Sequence, residues 1–388
     1  MINKVKSNYI YLIFLIPLFP HYETNLSNIH FDDIPIILYL ISFMFFVNKK
    51  EVFQELKNFL PLFVFITYLL FQNLLIYSET INTEVFRYIF YLLIFIHISH
   101  LKKENFNFKK APMLLFYFFA TFSIFSYFLK LDFGTDSYNY WNIGLNLNEW
   151  GFTPGRVNGL QAGGPNSFGD LICIFGLYTL VNTKNSYKPA VIICAIVACF
   201  FTYSRSSLLV LIFFIVVYIF SQSDWKKNLG VVLLSLLVIS NFGFVDRFSS
   251  ERETEGIQDR IQMQTATAGF LSNSEPLELA FGNGFNNIGV VNDKVGDIEE
   301  FNEELRVTGP HNSYLFLILK YGIIGTVVYF FIFLKLIKKI FSVNLKTLVT
   351  SSSILSILAF LTLGLASDLL HNHTVVWFLY YLLCDVNE

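Results

Sequence analysis

Arg156 stands in Pro154-Gly155-Arg156-Val157-Asn158-Gly159, a few residues ahead of an apolar run that begins near Asn166. A guanidinium offers a planar fork of donors that matches phosphate oxygens, and glycine-rich backbone at a helix N-terminus adds N–H groups aimed at an anion. Together they suit a diphosphate; the competing reading is an arginine that only anchors at a headgroup layer. Arg205, in Tyr203-Ser204-Arg205-Ser206-Ser207, is squeezed between two apolar runs with almost no loop. An arginine near bilayer depth is costly unless it faces a polar cavity, so it is a functional candidate, with snorkelling to the surface as the alternative. Asp170, one turn into the run that follows Arg156, is equally awkward there and either pairs with an arginine or joins the chemistry.

His311 lies in Gly309-Pro310-His311-Asn312-Ser313-Tyr314-Leu315, where another apolar run begins. A histidine near its ordinary pKa accepts a proton from a sugar hydroxyl at neutral pH, and nearby arginines favour its neutral form. The alternative is a histidine that caps the helix. His371 and His373 are weaker candidates that bind a sugar or nothing. Arg247, Arg252, Arg260 and Arg306 share the segment 246–311 with thirteen carboxylates. Residues 249–264 read as a helix, with Ile257, Ile261 and Met263 predicting one buried face and Arg260 beside it. Arg252, between Glu251 and Glu253, reads as a solvated ion pair, and Arg247 stays an open candidate.

The elements that must hold these residues are apolar helices. Hydrophobic residues make up 54% of the 388 positions and mean hydropathy is +0.53, which a water-soluble domain of this length does not sustain. An all-α integral membrane protein is predicted. A crossing of a hydrocarbon core of roughly 30 Å takes about 20 residues, and about twelve helices fit. They fall near 7–20, 34–48, 58–77, 85–100, 111–131, 166–182, 189–203, 207–221, 229–245, 312–334, 347–365 and 374–385. The first follows Lys4 and Lys6 without a small-residue cleavage site and is expected to be retained. Cys173, Cys194, Cys199 and Cys384 have neither disulfide-framework nor metal-ligand spacing and read as small core residues.

Seventeen of the twenty lysines fall on one side of this pattern and all seven arginines on the other. Lys49/Lys50/Lys57, Lys102/Lys103/Lys109/Lys110, Lys184/Lys188, Lys226/Lys227 and Lys335/Lys338/Lys339/Lys346 mark five inner connections, which puts both termini in the cytoplasm. Residues 1–388 then form a single polytopic domain with two long outer loops, 132–165 and 246–311. The first holds Trp141, Trp150 and a run of glycines; the second ends in an acidic stretch, Asp293 to Glu304. Arginines kept where topology disfavours cations point to an anionic, phosphate-bearing substrate outside. A net charge of −2 gives no reason to expect a nucleic-acid partner.

There is no Gly-x-x-x-x-Gly-Lys-[Ser/Thr] loop, and Gly282-Asn283-Gly284 lacks the third glycine and the preceding strand of a dinucleotide fingerprint. No Asp-x-Asp pair stands out in the outer loops. The expectation is a reaction without cofactor or metal, in which arginines neutralise the leaving group.

Four segments in order, Arg156-Val157-Asn158-Gly159 through Pro165-Asn166, Ser204-Arg205-Ser206-Ser207, Phe281-Gly282-Asn283-Gly284-Phe285-Asn286, and His311-Asn312-Ser313-Tyr314-Leu315 through Tyr321-Gly322-Ile323-Ile324-Gly325, resemble the O-antigen ligase/polymerase superfamily. The resemblance is specific from roughly 150 to 330 and covers the first 130 residues only as a helix pattern. It implies a glycosyltransferase C-like polytopic enzyme of the bacterial inner membrane. Its expected reaction is an inverting, metal-independent transfer from an undecaprenyl-diphosphate-linked oligosaccharide at the periplasmic face. By position, the resemblance makes Arg156, Arg205 and Arg260 the diphosphate ligands and His311 the residue that activates the acceptor, with Asn166, Asp170, Arg247 and Asn312 as further candidates. Lys320 departs from the acidic or neutral residue of many relatives.

Within that superfamily a polymerase joins lipid-linked repeat units of O-antigen or capsular polysaccharide, with a chain-length regulator as partner, whereas a ligase moves the finished chain to lipid A core. The richness in Phe (45) and Tyr (21) resembles products of AT-rich polysaccharide gene clusters and favours the polymerase. A lipid-linked oligosaccharide flippase is the alternative from another class. Against it stand the missing repeat and the clustering of candidates on one face.

Overall fold

Continuous apolar runs without strand punctuation leave the backbone one way to satisfy its own polar groups, and most of the described residues are helical. The computed structural model describes residues 8–19, 33–46, 48–76, 83–103, 108–135, 142–146, 155–160, 164–242, 251–284, 310–367, 369–370 and 373–386. Arg247, Arg306, Trp141, Trp150, His371 and the acidic stretch 293–304 lie outside the described residues, as do the side chains of Arg252, Ile257 and His373.

After a 3-10 segment, Asn8–Leu18, come α1 (Ile34–Phe46), α2 (Lys49–Ile76), α3 (Thr83–Lys103) and α4 (Lys110–Leu129). A meander of β1 (Asp132–Thr135), β2 (Asn142–Asn146) and β3 (Arg156–Asn158) leads into α5 (Gly164–Asn182), α6 (Lys188–Phe201), α7 (Arg205–Phe220) and α8 (Trp225–Ser240). Then follow α9 (Glu251–Asn273), α10 (Pro276–Phe281), α11 (Ser313–Ser342), α12 (Leu345–Thr350), α13 (Ser352–Leu363) and α14 (His373–Val386). Among the described residues four helices, α2, α3, α4 and α11, are long and apolar enough to cross a membrane. Others, such as α7 and α13, are apolar but shorter.

The fold is mostly helical, with one departure from an all-α reading. Loop 132–165 contains a three-stranded antiparallel sheet, in which Leu145 faces Val157 and Asn146 faces Arg156. Side chains alternate across a strand, so Val157 and Leu145 enter the core while Arg156 and Asn158 take the opposite face.

Helix α5 is the centre of the bundle. Every residue from Phe168 to Leu180 is buried, against α4, α6, α7 and α13, as a helix that is apolar all round should be. At one end of the bundle Lys102 pairs with Asp385, Ser353 donates to the same carboxylate at 2.6 Å, Lys103 meets Glu55 at 2.6 Å, and Lys339 Nζ donates to Val386 O at 3.1 Å. At the far end of α13, Gly364 and Ser367 meet Ser313. The lysine-rich segments around residues 55, 102 and 339 therefore share the end opposite His311.

Helix α11 breaks at Gly322, whose φ is +67° and ψ 179°. The break frees carbonyls that no water can reach in an apolar core, and each finds a donor. Leu319 O accepts from Asn283 N at 2.8 Å, Lys320 O from Gln72 Nε2 at 2.9 Å, and Tyr321 O from the Tyr68 hydroxyl. The Gly282-Asn283-Gly284 segment and the kink cross backbone against backbone. A Cβ on Gly322 would lie 2.3 Å from Ala280 O, and one on Gly282 would lie 2.4 Å from Gly322 N. Gly322→Ala is expected to cost more than about 2 kcal/mol, because a positive φ and a backbone clash coincide. A thermal melt in detergent within a degree of wild type would contradict that packing.

Candidate functional site

Arg156 reaches the start of α5 from the polar face of β3 and is 7% exposed. Its Nε donates to Thr202 O at 3.1 Å and its NH2 donates to Asn166 Oδ1 at 2.6 Å. Both bonds hold the guanidinium plane, which a snorkelling anchor does not require. Asn166 and Asp170 are one helical turn apart on α5 and so share a face.

That face meets the junction of α6 and α7. Gly169 allows the approach, since a Cβ there would lie 2.7 Å from Thr202 Oγ1 and 2.8 Å from Ser204 Cβ. The Ser207 hydroxyl donates to Asp170 Oδ1 at 2.6 Å, and Ser204 Oγ lies 2.5 Å from Ser207 Oγ. Ser204 is the N-cap of α7, but its hydroxyl joins this chain and caps no backbone N–H. Arg205 therefore opens α7, half-buried, at a helix end whose dipole favours anions. Asp170 is fully buried, and its Oδ2 has no hydrogen-bond partner.

Arg260 comes from α9, which packs against α11. Ile261 is 58% exposed, contrary to the expected face, whereas Met263, Thr267 and Leu271 are buried. At 100° per residue Ile261 lies about 200° from Met263, and Arg260 only about 60° from it. Helical phase thus turns Arg260 inward, half-buried, and its charge acts on both Asp170 and His311.

His311 does not cap α11. Asn312 does, accepting from Tyr314 N at 3.0 Å and Leu315 N at 3.2 Å, as asparagine's N-cap preference anticipates. Ser313 ties the helix start to α13's end, its N–H donating to Gly364 O at 2.8 Å and its hydroxyl to Ser367 O at 2.6 Å. The Ser367 hydroxyl in turn acts on Asp170. His311 is left half-buried between buried Pro310 and the cap, at φ +45°, a backbone region few non-glycine residues adopt.

Burial, with the charge of Arg260 second, pushes the His311 imidazole down from 6.5 to about 4. It is therefore neutral at physiological pH, the form that accepts a proton. The unfolded chain protonates this histidine near its ordinary pKa and the fold does not. Stability is consequently lost as pH falls below about 6.5, with the loss levelling near 4. Wild type is expected to lose more thermal stability between about pH 7 and pH 5 than His311→Asn. Equal losses in the two proteins would contradict the depressed imidazole.

The structure thus brings Arg156, Asn166, Asp170, Arg260 and His311 to one end of the bundle, with Arg205 at the same junction. Arg87 stands apart, paired with Asp33 at 3.4 Å. Lys320 is buried with its Nζ over the rings of Phe316 and Tyr321, away from water. Ser204 and Ser207 enter the sequence reading only as the flanks of Arg205, and Ser367 does not enter it. Their signal was weak: a Ser-x-x-Ser spacing beside Arg205, and a serine just past a helix end. All four cysteines are free thiols.

Residues 190–330 match the protein family described as O-Antigen ligase. No curated protein and no solved structure matches the chain significantly. The matched stretch contains Arg205, Arg260 and His311, while Arg156 and Asp170 precede it. Over that stretch, about a third of its length, the chain is similar to the O-antigen ligase/polymerase superfamily.

Proposed function

We propose that the protein is an O-antigen or capsular polysaccharide polymerase that joins undecaprenyl-diphosphate-linked repeat units at the periplasmic face of the bacterial inner membrane. The observation that carries this reading is the meeting, at one end of the bundle, of a guanidinium locked by Thr202 and Asn166, a second arginine opening α7, and Arg260 beside a neutral imidazole. Cations held in place where an anionic leaving group develops are worth several kcal/mol in a site sheltered from water.

In this reading Arg156, Arg205 and Arg260 hold the donor diphosphate, and Asn166 orients Arg156. The acceptor hydroxyl oxygen attacks the anomeric carbon from the face opposite the diphosphate, inverting it. The carbon–oxygen bond to phosphate breaks, and its electron pair leaves with the polyprenyl diphosphate. The hydroxyl proton passes to the His311 imidazole. A bound diphosphate offsets the charge of Arg260, one of the two influences that hold His311 down, so the imidazole becomes more basic when a donor is present.

The lysine-rich end opposite the site supports a cytoplasmic placement of that end and of both termini. The family description favours a second reading, a ligase that transfers the finished chain to lipid A core. Deleting the gene and running lipopolysaccharide on a gel separates them. Loss of the ladder with a single repeat unit still on the core is expected for the polymerase. Loss of all O-antigen from the core indicates the ligase or a flippase and overturns the polymerase reading.

A further inference from the structure

The last turns of α11, Leu334–Ser342, form a basic amphipathic helix at the lysine-rich end of the bundle. Lys335, Lys338 and Lys339 fall within about 100° of one another around its axis. Beside them runs an exposed apolar stripe of Leu334, Ile337 and Phe341. A helix so divided lies where hydrocarbon meets headgroups, with apolar side chains in the one and ammonium groups in the other.

The same turns border an open cleft between α2, α11 and α14. Buried Phe59, Leu62 and Leu383 give it an apolar floor, and exposed Phe331 and Leu334 carry that surface outward. At its mouth Lys335 bridges the helices, Nζ donating to Asn58 O at 3.3 Å. An ammonium has three donors, and that bond uses one. The carboxylate that reaches Asn58, Glu55 at 2.7 Å, is already paired with Lys103 at 2.6 Å, so the charge of Lys335 is left to face outward. Exposed Lys338 stands one turn further along the same helix.

We propose that this cleft binds an anionic glycerophospholipid, with one acyl chain against Leu62, Phe331 and Leu383 and the headgroup phosphate at Lys335 and Lys338. Apolar floor and basic mouth together match the two halves of such a lipid, and basic pockets between membrane helices select anionic headgroups. A zwitterionic lipid would bring its own cation beside Lys335, which phosphatidylglycerol does not. The bound lipid ties α2 to the far end of α11, the helix that begins beside His311. Only its placement in the inner leaflet rests on the proposed orientation.

The test reconstitutes the full-length protein in mixed bilayers of phosphatidylglycerol and phosphatidylcholine, with one or the other lipid brominated. Phe331→Trp puts an indole, which bromine quenches on contact, on the wall of the cleft, and wild-type emission is subtracted. Phosphatidylglycerol is expected to be preferred about fivefold there, the attraction of one lysine for an anionic headgroup. Lys335→Gln in the same background should abolish the preference, and Lys335→Arg should keep it. Phe213→Trp, at an exposed position midway along α7, should show none. Where Phe331→Trp fails to fold, Leu334→Trp takes its place. Equal quenching by the two lipids in the cleft overturns the inference, as does a preference that survives Lys335→Gln or recurs at Phe213→Trp. The measurement reads no glycosyl transfer, so its failure leaves the donor site standing.

Discussion

His311→Ala is expected to abolish the polysaccharide ladder at normal protein abundance, and in a purified assay to lower the transfer rate by roughly 10²–10⁴, the range that a positioned general base contributes. The structural reason is specific. Asn312, not His311, supplies the cap of α11, and Ser313 ties that helix to the end of α13. Removing the imidazole therefore leaves the local architecture its supports, and loss of activity without loss of fold is the expected signature. Because the free imidazole is held down to about 4, the acid limb of kcat/KM due to His311 should lie well below pH 5, and that of kcat, set with the donor bound, should lie higher. A normal ladder from the alanine variant would remove His311 from the chemistry.

Arg156→Lys is expected to behave nearly as badly as Arg156→Ala, with either change reducing transfer by about 10²–10³, the usual cost of losing one preorganised donor to a developing anion. Lysine keeps the charge but has no planar fork, so it cannot serve Thr202 O and Asn166 Oδ1 while facing a phosphate. If the arginine supplied charge alone, lysine would restore most of the rate. The alanine variant also leaves a buried carbonyl and an amide oxygen without a donor, so it should melt earlier than wild type. Donor concentration dependence for both variants, read beside their melting temperatures, separates the two contributions.

Much of this arrangement is legible in the sequence because the bilayer reduces the options. Apolar runs of crossing length have to be helices, and the described helices other than α9 and α10 fall along those runs. The segments around Arg156, Arg205 and His311 likewise come to one end of the bundle, while Gly282 packs on the kink of α11. What was not legible depends on partners distant in the chain. The β1-β2-β3 meander has strands of three to five residues that carry almost no periodic signal of their own. The inward face of α9 could not be phased from Ile257, Ile261 and Met263, because residues two apart on a helix point nearly opposite ways. The kink at Gly322 has meaning only once Gly282 is placed against it, 40 residues away in sequence. Asn312, by contrast, could have been recognised as the cap from residue type alone.

In the proposed reaction one end of this bundle breaks a sugar–diphosphate bond and makes a glycosidic one. The most direct measurement supplies purified, reconstituted protein with a single undecaprenyl-diphosphate-linked oligosaccharide and follows two products together, glycan length and free undecaprenyl diphosphate. Expected are glycans that lengthen in repeat-unit steps, one diphosphate lipid released per bond formed, and neither product from His311→Ala or Arg156→Ala. Movement of intact donor from one leaflet to the other, with no lengthened glycan and no released diphosphate lipid, would contradict it.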